Sequence, residues 1–211
     1  MRAGAQHHLG AGSLAGLTVA GQGAGAVGGE LARLCAADGA SVLVADVAPA
    51  RAREVGEQTG GRVIGTDEVV TAECDILAPA AIARVITRER IDDLRCRLVA
   101  GAANDTLDSP DCEAALREKG IAFVPDFVAN AGGVIHEHAR ALGWCEDGLA
   151  AAVDAIGPRV LELADEADGG SLVDAALARG RRRLTQRAEA QTSGASKKVS
   201  RVAKRPCSSR V

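Results

Sequence analysis

A glycine turn between an apolar run and a helical pattern constrains this chain more than any other feature of its sequence. The apolar run Leu17–Ala20 leads into G-A-G-A-V-G at 23–28, and a helical pattern follows at once. The first glycine permits a tight turn, the second lets the backbone approach a ligand, and the third lets the helix pack closely. Because N–H groups at a helix N-terminus bind anions, the turn predicts a pyrophosphate site. Its predicted members are Gly23, Gly25, Ala26, Val27 and Gly28.

A second apolar run ends in an acid at the distance that a dinucleotide-binding fold requires. The run Ser41–Ala45 is followed by Asp46, 18 positions after Gly28. A carboxylate at this strand tip binds the adenosine ribose hydroxyls and repels a 2′-phosphate, so the sequence favours NAD over NADP. Arg51 and Arg53 lie just beyond and weaken that preference. The alternative interpretation is that Asp46 only caps the following helix.

Strand and helix patterns alternate up to residue 124. Strands are predicted at Leu17–Ala20, Ser41–Ala45, Arg62–Ile64, Ile76–Ala78, Leu98–Ala100 and Ile121–Val124, and helices at Ala26–Ala37, Ala50–Glu57, Arg88–Leu94 and Pro110–Lys119. This alternation predicts an α/β fold, a Rossmann-type doubly wound parallel sheet with its ligand crevice at the carboxyl ends of the strands.

Additional C-terminal helices are predicted beyond the sheet. One helical stretch runs to about Leu142, and a second, Glu146–Ala167, is expected to kink or divide at Gly157-Pro158. Ser171 is predicted to be the N-cap of a last helix.

We expect four segments along the chain: an N-terminal arm (1–12), a dinucleotide-binding domain (13–145), C-terminal helices packing on or beside it (146–188), and a basic tail (189–211). Residues 1–180 hold 15 basic and 27 acidic residues, a net charge of −12, whereas residues 181–211 hold ten basic residues and one acidic residue. The tail is polar and is expected to be disordered. Its composition favours a solvated extension over a nucleic-acid-binding one.

Composition disfavours a membrane protein, an exported protein and a metalloprotein. No apolar run approaches the ~18–20 residues of a membrane helix, and the first residues lack an apolar signal core, so a cytoplasmic protein is expected. The cysteines form no C-x-x-C pair and are expected to be reduced, several of them buried. No metal site is predicted, since His136 and His138 would point apart on a helix. The cysteines are Cys35, Cys74, Cys96, Cys112, Cys145 and Cys207.

Several segments together resemble one known family. They are S-L-A-G-L-T-V-A at 13–20 with the glycine turn, D-I-L-A-P-A-A-I at 75–82, V-A-G-A-A-N at 99–104, and P-D-F-V-A-N-A-G-G-V-I at 125–135. In order and spacing, from about Ser13 to about Leu184, they are similar to the cofactor-binding domain of the Glu/Leu/Phe/Val amino acid dehydrogenases. The branched-chain and phenylalanine members are the most similar, and the last segment is the most specific.

The resemblance implies NAD-dependent oxidative deamination of an L-amino acid, branched-chain or aromatic, to a 2-oxo acid. It implies that the nicotinamide lies over Ala80 and the turn from Ala102 to Asn104, and that Asn130 hydrogen-bonds the substrate beside it. The alternative for Asn130 is that it merely satisfies a turn. Where the family often carries Asn, this chain has Asp105, whose carboxylate near the crevice is expected to oppose cofactor binding.

The resemblance also implies that the catalytic lysines lie outside this chain, because a separate N-terminal domain supplies them in the family. The chain's own lysines are Lys119, expected to end a surface helix, and Lys197, Lys198 and Lys204 in the tail. We therefore expect a chain that binds NAD but does not deaminate amino acids unaided, and that pairs with a catalytic domain or forms a homo-oligomer. One alternative is a non-catalytic NAD-binding or regulatory module that associates with a full-length relative. Another is a different dehydrogenase with its own base.

Overall fold

The computed structural model of the chain describes residues 1–192, which fall into two compact units. The first unit comprises residues 1–130, and the second begins at Ala131. The predicted domain boundaries at 12/13 and 145/146 do not coincide with this division. Residues 193–211, most of the predicted tail, lie outside the described residues.

Six parallel strands form a sheet within the described part of the first unit. They are β1 (Thr18–Gln22), β2 (Ser41–Ala45), β3 (Arg62–Val63), β4 (Ile76–Pro79), β5 (Leu98–Val99) and β6 (Ala122–Phe123). Their spatial order is β3-β2-β1-β4-β5-β6, the doubly wound order whose switch point lies between β1 and β4. The predicted fold class is confirmed, and every predicted strand is present with its ends within two residues.

The helices of the first unit are α1 (Arg2–Leu9), α2 (Ala26–Ala37), α3 (Pro49–Thr59), a 3₁₀ helix (Arg88–Asp93), α4 (Asp111–Glu118) and the short α5 (Asp126–Ala129). The prediction of an ordinary helix at 88–94 is wrong in type. This segment is a six-residue 3₁₀ turn, in which the N–H of Leu94 donates to the carbonyl of Ile91 three residues back. Short 3₁₀ pieces of this kind are common as connectors.

Apolar side chains on both faces of the sheet hold the first unit together. Ile76, Leu77 and Leu98 on the central strands are fully buried. Burial of each such side chain stabilises the fold by about 1.5–3 kcal/mol, and strands covered on both faces are continuously apolar for this reason. Helix α1, within the predicted arm, also belongs to this core, since its Ala5 is fully buried and Gly4 lies against Leu98.

The described part of the second unit is helical. It contains α6 (Gly132–Leu142), α7 (Glu146–Asp154), α8 (Ile156–Ala167) and α9 (Leu172–Thr192). The stretch from 146 to 167 divides into two helices, as expected, but at Ala155 rather than at Gly157-Pro158. Pro158 then lies in the first turn of α8, where its missing N–H costs little. Within residues 1–192, no helix is both long enough and apolar enough to cross a bilayer.

The ends of α9 match one expectation and correct another. Ser171 caps the helix, because its Oγ accepts the N–H of Asp174 at 3.0 Å. The helix continues to Thr192, so the expected disorder past about Glu189 is wrong for residues up to 192. The Ala and Glu residues of this last turn are strong helix formers, and they outweigh the polar composition there.

Candidate functional site

The glycine turn after β1 takes a conformation that only glycine permits at two of its positions. Gly23 has φ of +103°, and its N–H donates to the carbonyl of Ala45 at the end of β2, at 2.8 Å. A Cβ added at Gly28 would overlap the carbonyl of Gly23. Side chains are therefore excluded from both positions, and α2 starts directly against the turn.

The first turn of α2 has N–H groups that make no hydrogen bond within the helix. Its N-cap is Gly25, and the first helical hydrogen bond runs from the N–H of Gly29 to the carbonyl of Gly25, at 2.8 Å. The N–H groups of Ala26, Val27 and Gly28 consequently have no acceptor within the helix. A Cβ added at Gly25 would meet no atom within 4 Å. The turn thus combines N–H groups that the helix leaves without an acceptor with open space beside Gly25, whereas Gly28 itself is buried.

Asp46 links the glycine turn to the end of β2 through both carboxylate oxygens. Oδ2 accepts the N–H of Ala24 and Oδ1 accepts the N–H of Ala48, each at 2.7 Å. Burial raises the pKa of Asp46, but these two N–H groups and the charge of Arg51 outweigh it and leave the pKa below its ordinary value. Because Ala48 is the N-cap of α3, the carboxylate also organises the start of that helix. Each oxygen retains a lone pair for a ligand hydroxyl.

A concave pocket of about 490 Å³ lies beside the glycine turn. Its walls come from the ends of β1 and β2 and from the segments that follow β3 and β4. Val47 and Ile82 present exposed apolar side chains here, at 89% and 61% exposure. The pocket is lined by Gln22, Gly23, Ala45, Asp46, Val47, Thr66, Asp67, Ala81, Ile82, Arg84, Val85, Thr87 and Arg90. A pocket lined by apolar side chains, two arginines and two carboxylates suits a nucleoside.

A second concavity, of about 590 Å³, lies on segments that precede β4 and β5. Three carboxylates line it, those of Glu68, Asp92 and Asp93. With three carboxylates against one arginine, Arg95, this lining opposes an anionic dinucleotide, so the pocket at the glycine turn is the better candidate.

The ends of β4 and β5 form the rest of the candidate site. The N–H of Ala80 donates to the backbone carbonyl of Gln22 at 2.8 Å. The carbonyl of Pro79 accepts the N–H groups of Ala102 and Ala103, at 2.8 and 2.9 Å. The backbone thereby carries Ala80 and Ala102 to the edge of the sheet that also carries the glycine turn, as the sequence predicts.

Asn130 is tied to the turn that contains Asn104. Its Nδ2 donates to the carbonyl of Ala103 at 3.2 Å and to Oδ1 of Asn104 at 2.5 Å. Because a backbone carbonyl can only accept, this contact fixes which end of the Asn130 amide faces the turn. Asn130 is left with Oδ1 as an acceptor, and Asn104 is left with its amide N–H₂ as a donor. Two of the predicted site residues, 26 positions apart, are therefore in direct contact.

Arg84 was missed by sequence reasoning, and it changes the electrostatics of Asp105. Arg84 Nε lies 3.1 Å from Asp105 Oδ2. The backbone N–H of Arg84 also donates to the backbone carbonyl of Asp105, at 2.6 Å. Both residues have positive φ, 54° and 52°. The carboxylate that was expected to oppose a cofactor is paired with a guanidinium. Asp tolerates the left-handed region, which was the one available signal in the sequence.

Lys119 lies at the end of α4 as predicted, but its ammonium group contacts the 3₁₀ helix. Nζ donates to the carbonyls of Ile91, Asp92 and Leu94, at 2.8, 2.5 and 2.9 Å. It thus adds a charged donor to carbonyls at the end of the 3₁₀ helix, of which that of Ile91 also accepts the N–H of Leu94. The other lysines of the chain lie outside the described residues.

A sequence profile of the family described as Glutamate/Leucine/Phenylalanine/Valine dehydrogenase matches residues 46–191. The chain belongs to this family. It is 36% identical to leucine dehydrogenase from Thermoactinomyces intermedius, over 77% of this chain and 44% of the relative. The chain spans about half the length, or less, of the curated relatives that it resembles.

Solved structures of dehydrogenases share this fold. L-tryptophan dehydrogenase from Nostoc punctiforme superposes with a TM-score of 0.82 at 32% identity, covering 88% of this chain and 56% of the other. The hetero-hexameric glutamate dehydrogenase from Thermus thermophilus, in its Leu-bound form, gives 0.66 at 27% identity, covering 82% of this chain and 47% of the other. Members of the family use NAD or NADP.

Proposed function

We propose that this chain is the cofactor-binding part of an NAD-dependent amino acid dehydrogenase that converts an L-amino acid to a 2-oxo acid. The observation that carries the proposal is the contact of Asn130 with Asn104 at the end of β5, on the edge of the sheet that holds the glycine turn. A turn suited to a pyrophosphate and a side chain suited to an amino acid at the same edge of the sheet support this proposal, since simple nucleotide binding does not require the second.

The residues present fit a dinucleotide. The N–H groups of Ala26, Val27 and Gly28 suit a pyrophosphate, and the space beside Gly25 leaves room for its approach. Val47 and Ile82 suit the faces of an adenine ring. When bound, the nicotinamide accepts a hydride from the substrate carbon.

Asp46 supports NAD rather than NADP. Its pKa lies below the ordinary value, so it is ionised at neutral pH and accepts hydrogen bonds from ribose hydroxyls. A 2′-phosphate in the same place would face a carboxylate that two backbone N–H groups hold in position. The like charges would repel each other.

Asn130 is proposed to bind the substrate through its oxygen. Both of its amide hydrogens are directed to Ala103 and Asn104, so Oδ1 is the atom left for a ligand. An acceptor suits the ammonium group of an amino acid better than its carboxylate. This orients the amine carbon for hydride transfer.

The lysines of the catalytic step are proposed to come from outside this chain. Lys119 is held by three backbone carbonyls and so cannot act as a mobile base at the carboxyl ends of the strands. A catalytic domain, or further copies in a homo-oligomer, would complete the site, and a hexamer is recorded for the Thermus thermophilus enzyme. The relatives named above suggest a branched-chain or aromatic substrate. We propose a cytoplasmic location.

The test combines binding with turnover. NADH and NADPH are titrated separately into the purified chain, with nucleotide fluorescence as the readout, and leucine, valine and phenylalanine oxidation is then assayed. NADH is expected to bind more tightly than NADPH, without turnover. Absence of NADH binding to the folded chain would overturn the proposal, whereas turnover would place the base within this chain.

The second candidate is the non-catalytic module that associates with a full-length relative. The engagement of Lys119 by three carbonyls favours it. Adding a lysine-bearing N-terminal domain separates the two: restored turnover supports the dehydrogenase, and binding without turnover supports the module.

A further inference from the structure

We propose that Asp126 is a positioning residue that holds Asn130 and its turn in the arrangement needed to receive a substrate. The role of that arrangement in substrate binding rests on the proposed function. The arrangement itself can be measured without a ligand. Asp126 does not touch the reacting atoms, so it acts only through Asn130.

The carboxylate of Asp126 connects two segments that meet at the end of the sheet. Oδ2 accepts the N–H of Thr106 at 2.7 Å, and Oδ1 accepts the N–H of Phe127 at 2.7 Å. The first contact reaches the loop after β5, twenty residues away, and the second organises the start of α5. Hydrogen bonds to a charged acceptor are stronger than those between neutral groups, so this link is a firm one.

The backbone of Asp126 holds Asn130 from the other side. The N–H of Asn130 donates to the carbonyl of Asp126 at 2.8 Å. The Asn130 side chain then returns to Ala103, and Ala103 is joined to Thr106 by the contact from Thr106 Oγ1 to its carbonyl at 3.4 Å. The contacts form a closed ring from the Asp126 carboxylate through the loop and back through Asn130 to Asp126.

Burial and a further backbone hydrogen bond fix the position of Thr106 in this ring. Thr106 is buried, and its carbonyl accepts the N–H of Ile86. Removing the Asp126 carboxylate leaves a buried N–H without its acceptor, so the loop must shift to find water or another partner. A shift of the loop displaces Ala103 and Asn104, which are the two acceptors of the Asn130 amide. Asn130 would then lose the orientation that presents Oδ1.

The chain offers an unusually clean readout, because Asn104 and Asn130 are its two asparagines. Selective ¹⁵N-asparagine labelling gives two side-chain N–H₂ signals, and the Asn130→Asp variant assigns one by its loss. In the parent chain, both Asn130 protons are in hydrogen bonds and should exchange more slowly with solvent than those of Asn104. In Asp126→Ala, we expect the Asn130 protons to exchange at least about fivefold faster, consistent with the loss of a hydrogen bond.

Two further variants separate positioning from general stability. Asp38→Ala is the matched control, since Asp38 also accepts a distant backbone N–H, that of Leu14 at 2.9 Å, and lies at the C-terminal end of α2. It should leave Asn130 exchange within about twofold of the parent. Asp126→Asn keeps one acceptor oxygen, should fold even if the alanine variant does not, and should give an intermediate rate. Its own amide adds a third signal that the parent lacks.

NADH is titrated into the parent chain in parallel. If the parent does not bind NADH but Asp126→Ala accelerates Asn130 exchange, the proposed function fails and the positioning contact stands. If the parent binds NADH but Asn130 exchange is the same in both Asp126 variants as in the parent, the positioning role is overturned. Equal acceleration by Asp38→Ala would also overturn it, because the effect would then report stability alone.

Discussion

A methyl group at Gly25 should separate folding from nucleotide binding. The backbone there has φ of −70° and ψ of −169°, which alanine can adopt, and an added Cβ would meet no protein atom within 4 Å. Gly25→Ala should therefore stabilise the fold by about 0.4–1 kcal/mol, because the unfolded chain loses freedom. The same methyl would occupy the space through which a pyrophosphate reaches the N–H groups of Ala26 and Val27.

The cost to binding follows from the contacts that a displaced phosphate would lose. Loss of one hydrogen bond to a charged group costs about 1.5–3 kcal/mol, which raises the dissociation constant about 10- to 150-fold. Thermal unfolding measures the first effect, and NADH fluorescence titration measures the second. Gly12→Ala is the control, because an added Cβ also meets no atom there and the position is remote in sequence from the turn.

Gly28→Ala gives the contrasting outcome, since its methyl would overlap the carbonyl of Gly23. This variant should lose stability and binding together. If Gly25→Ala folds normally and binds NADH as tightly as the parent chain, the phosphates do not pass over this turn and the assignment of the site is wrong.

Three further predictions concern charge. The N–H groups that Asp46 accepts stabilise its ionised form. Its contribution to the free energy of unfolding should therefore be complete above its ordinary pKa of 3.8 and be lost as pH falls through the lower pKa of the folded state. Asp46→Asn should flatten this loss of stability at acid pH, the acid limb, in urea titrations. Lys119→Met should lower the free energy of unfolding by about 2 kcal/mol, because three carbonyls lose a charged donor. Burial raises the pKa of Cys74 to about 12 and those of Cys35 and Cys96 to about 11, so these thiols should resist a thiol reagent at pH 8 until the chain unfolds. The free energy of unfolding should fall as pH rises above 9, because the thiols then ionise in the unfolded chain but not in the folded one.

Each of these has a result that contradicts it. An acid limb unchanged in the Asp46 variant would mean that other carboxylates govern it. A Lys119 variant as stable as the parent in urea would mean that water replaces the ammonium at no cost. Rapid labelling of Cys74 in the native chain, located by peptide mass, would show that the sheet opens at that point.

The sequence was most predictive where one local signal is sufficient. The run Ser41–Ala45 is bounded by Gly39, which has φ of +88°, and by Asp46, and β2 has the predicted ends. Helix α2 was equally clear, because the glycine turn fixes its start. By contrast, α1 has only eight residues, too few for a stable helix on its own, and tertiary packing of residues such as Ala5 selects it.

The candidate site was predicted as a set of positions but not as a network. The positions of Asn104 and Asn130 were identified, but their contact depends on how two loops meet at the end of the sheet. Asp126 and Arg84 were missed because their partners lie about twenty residues away in sequence, and single-sequence patterns report neighbours within a few residues. Asp46 was predicted as a ribose ligand, but its two backbone contacts, which make it part of the turn itself, were not predicted.

The paired loops of Arg84 and Asp105 restrict how this domain can be recombined. Each residue occupies a backbone conformation that few side chains accept, and each holds the other there through a backbone and a side-chain contact. A chimera that takes only one of these loops from a homologue would keep one unusual conformation without its counterpart. Donor segments for such grafts should therefore span both loops, and a library shuffled between them should yield mostly poorly folded hybrids.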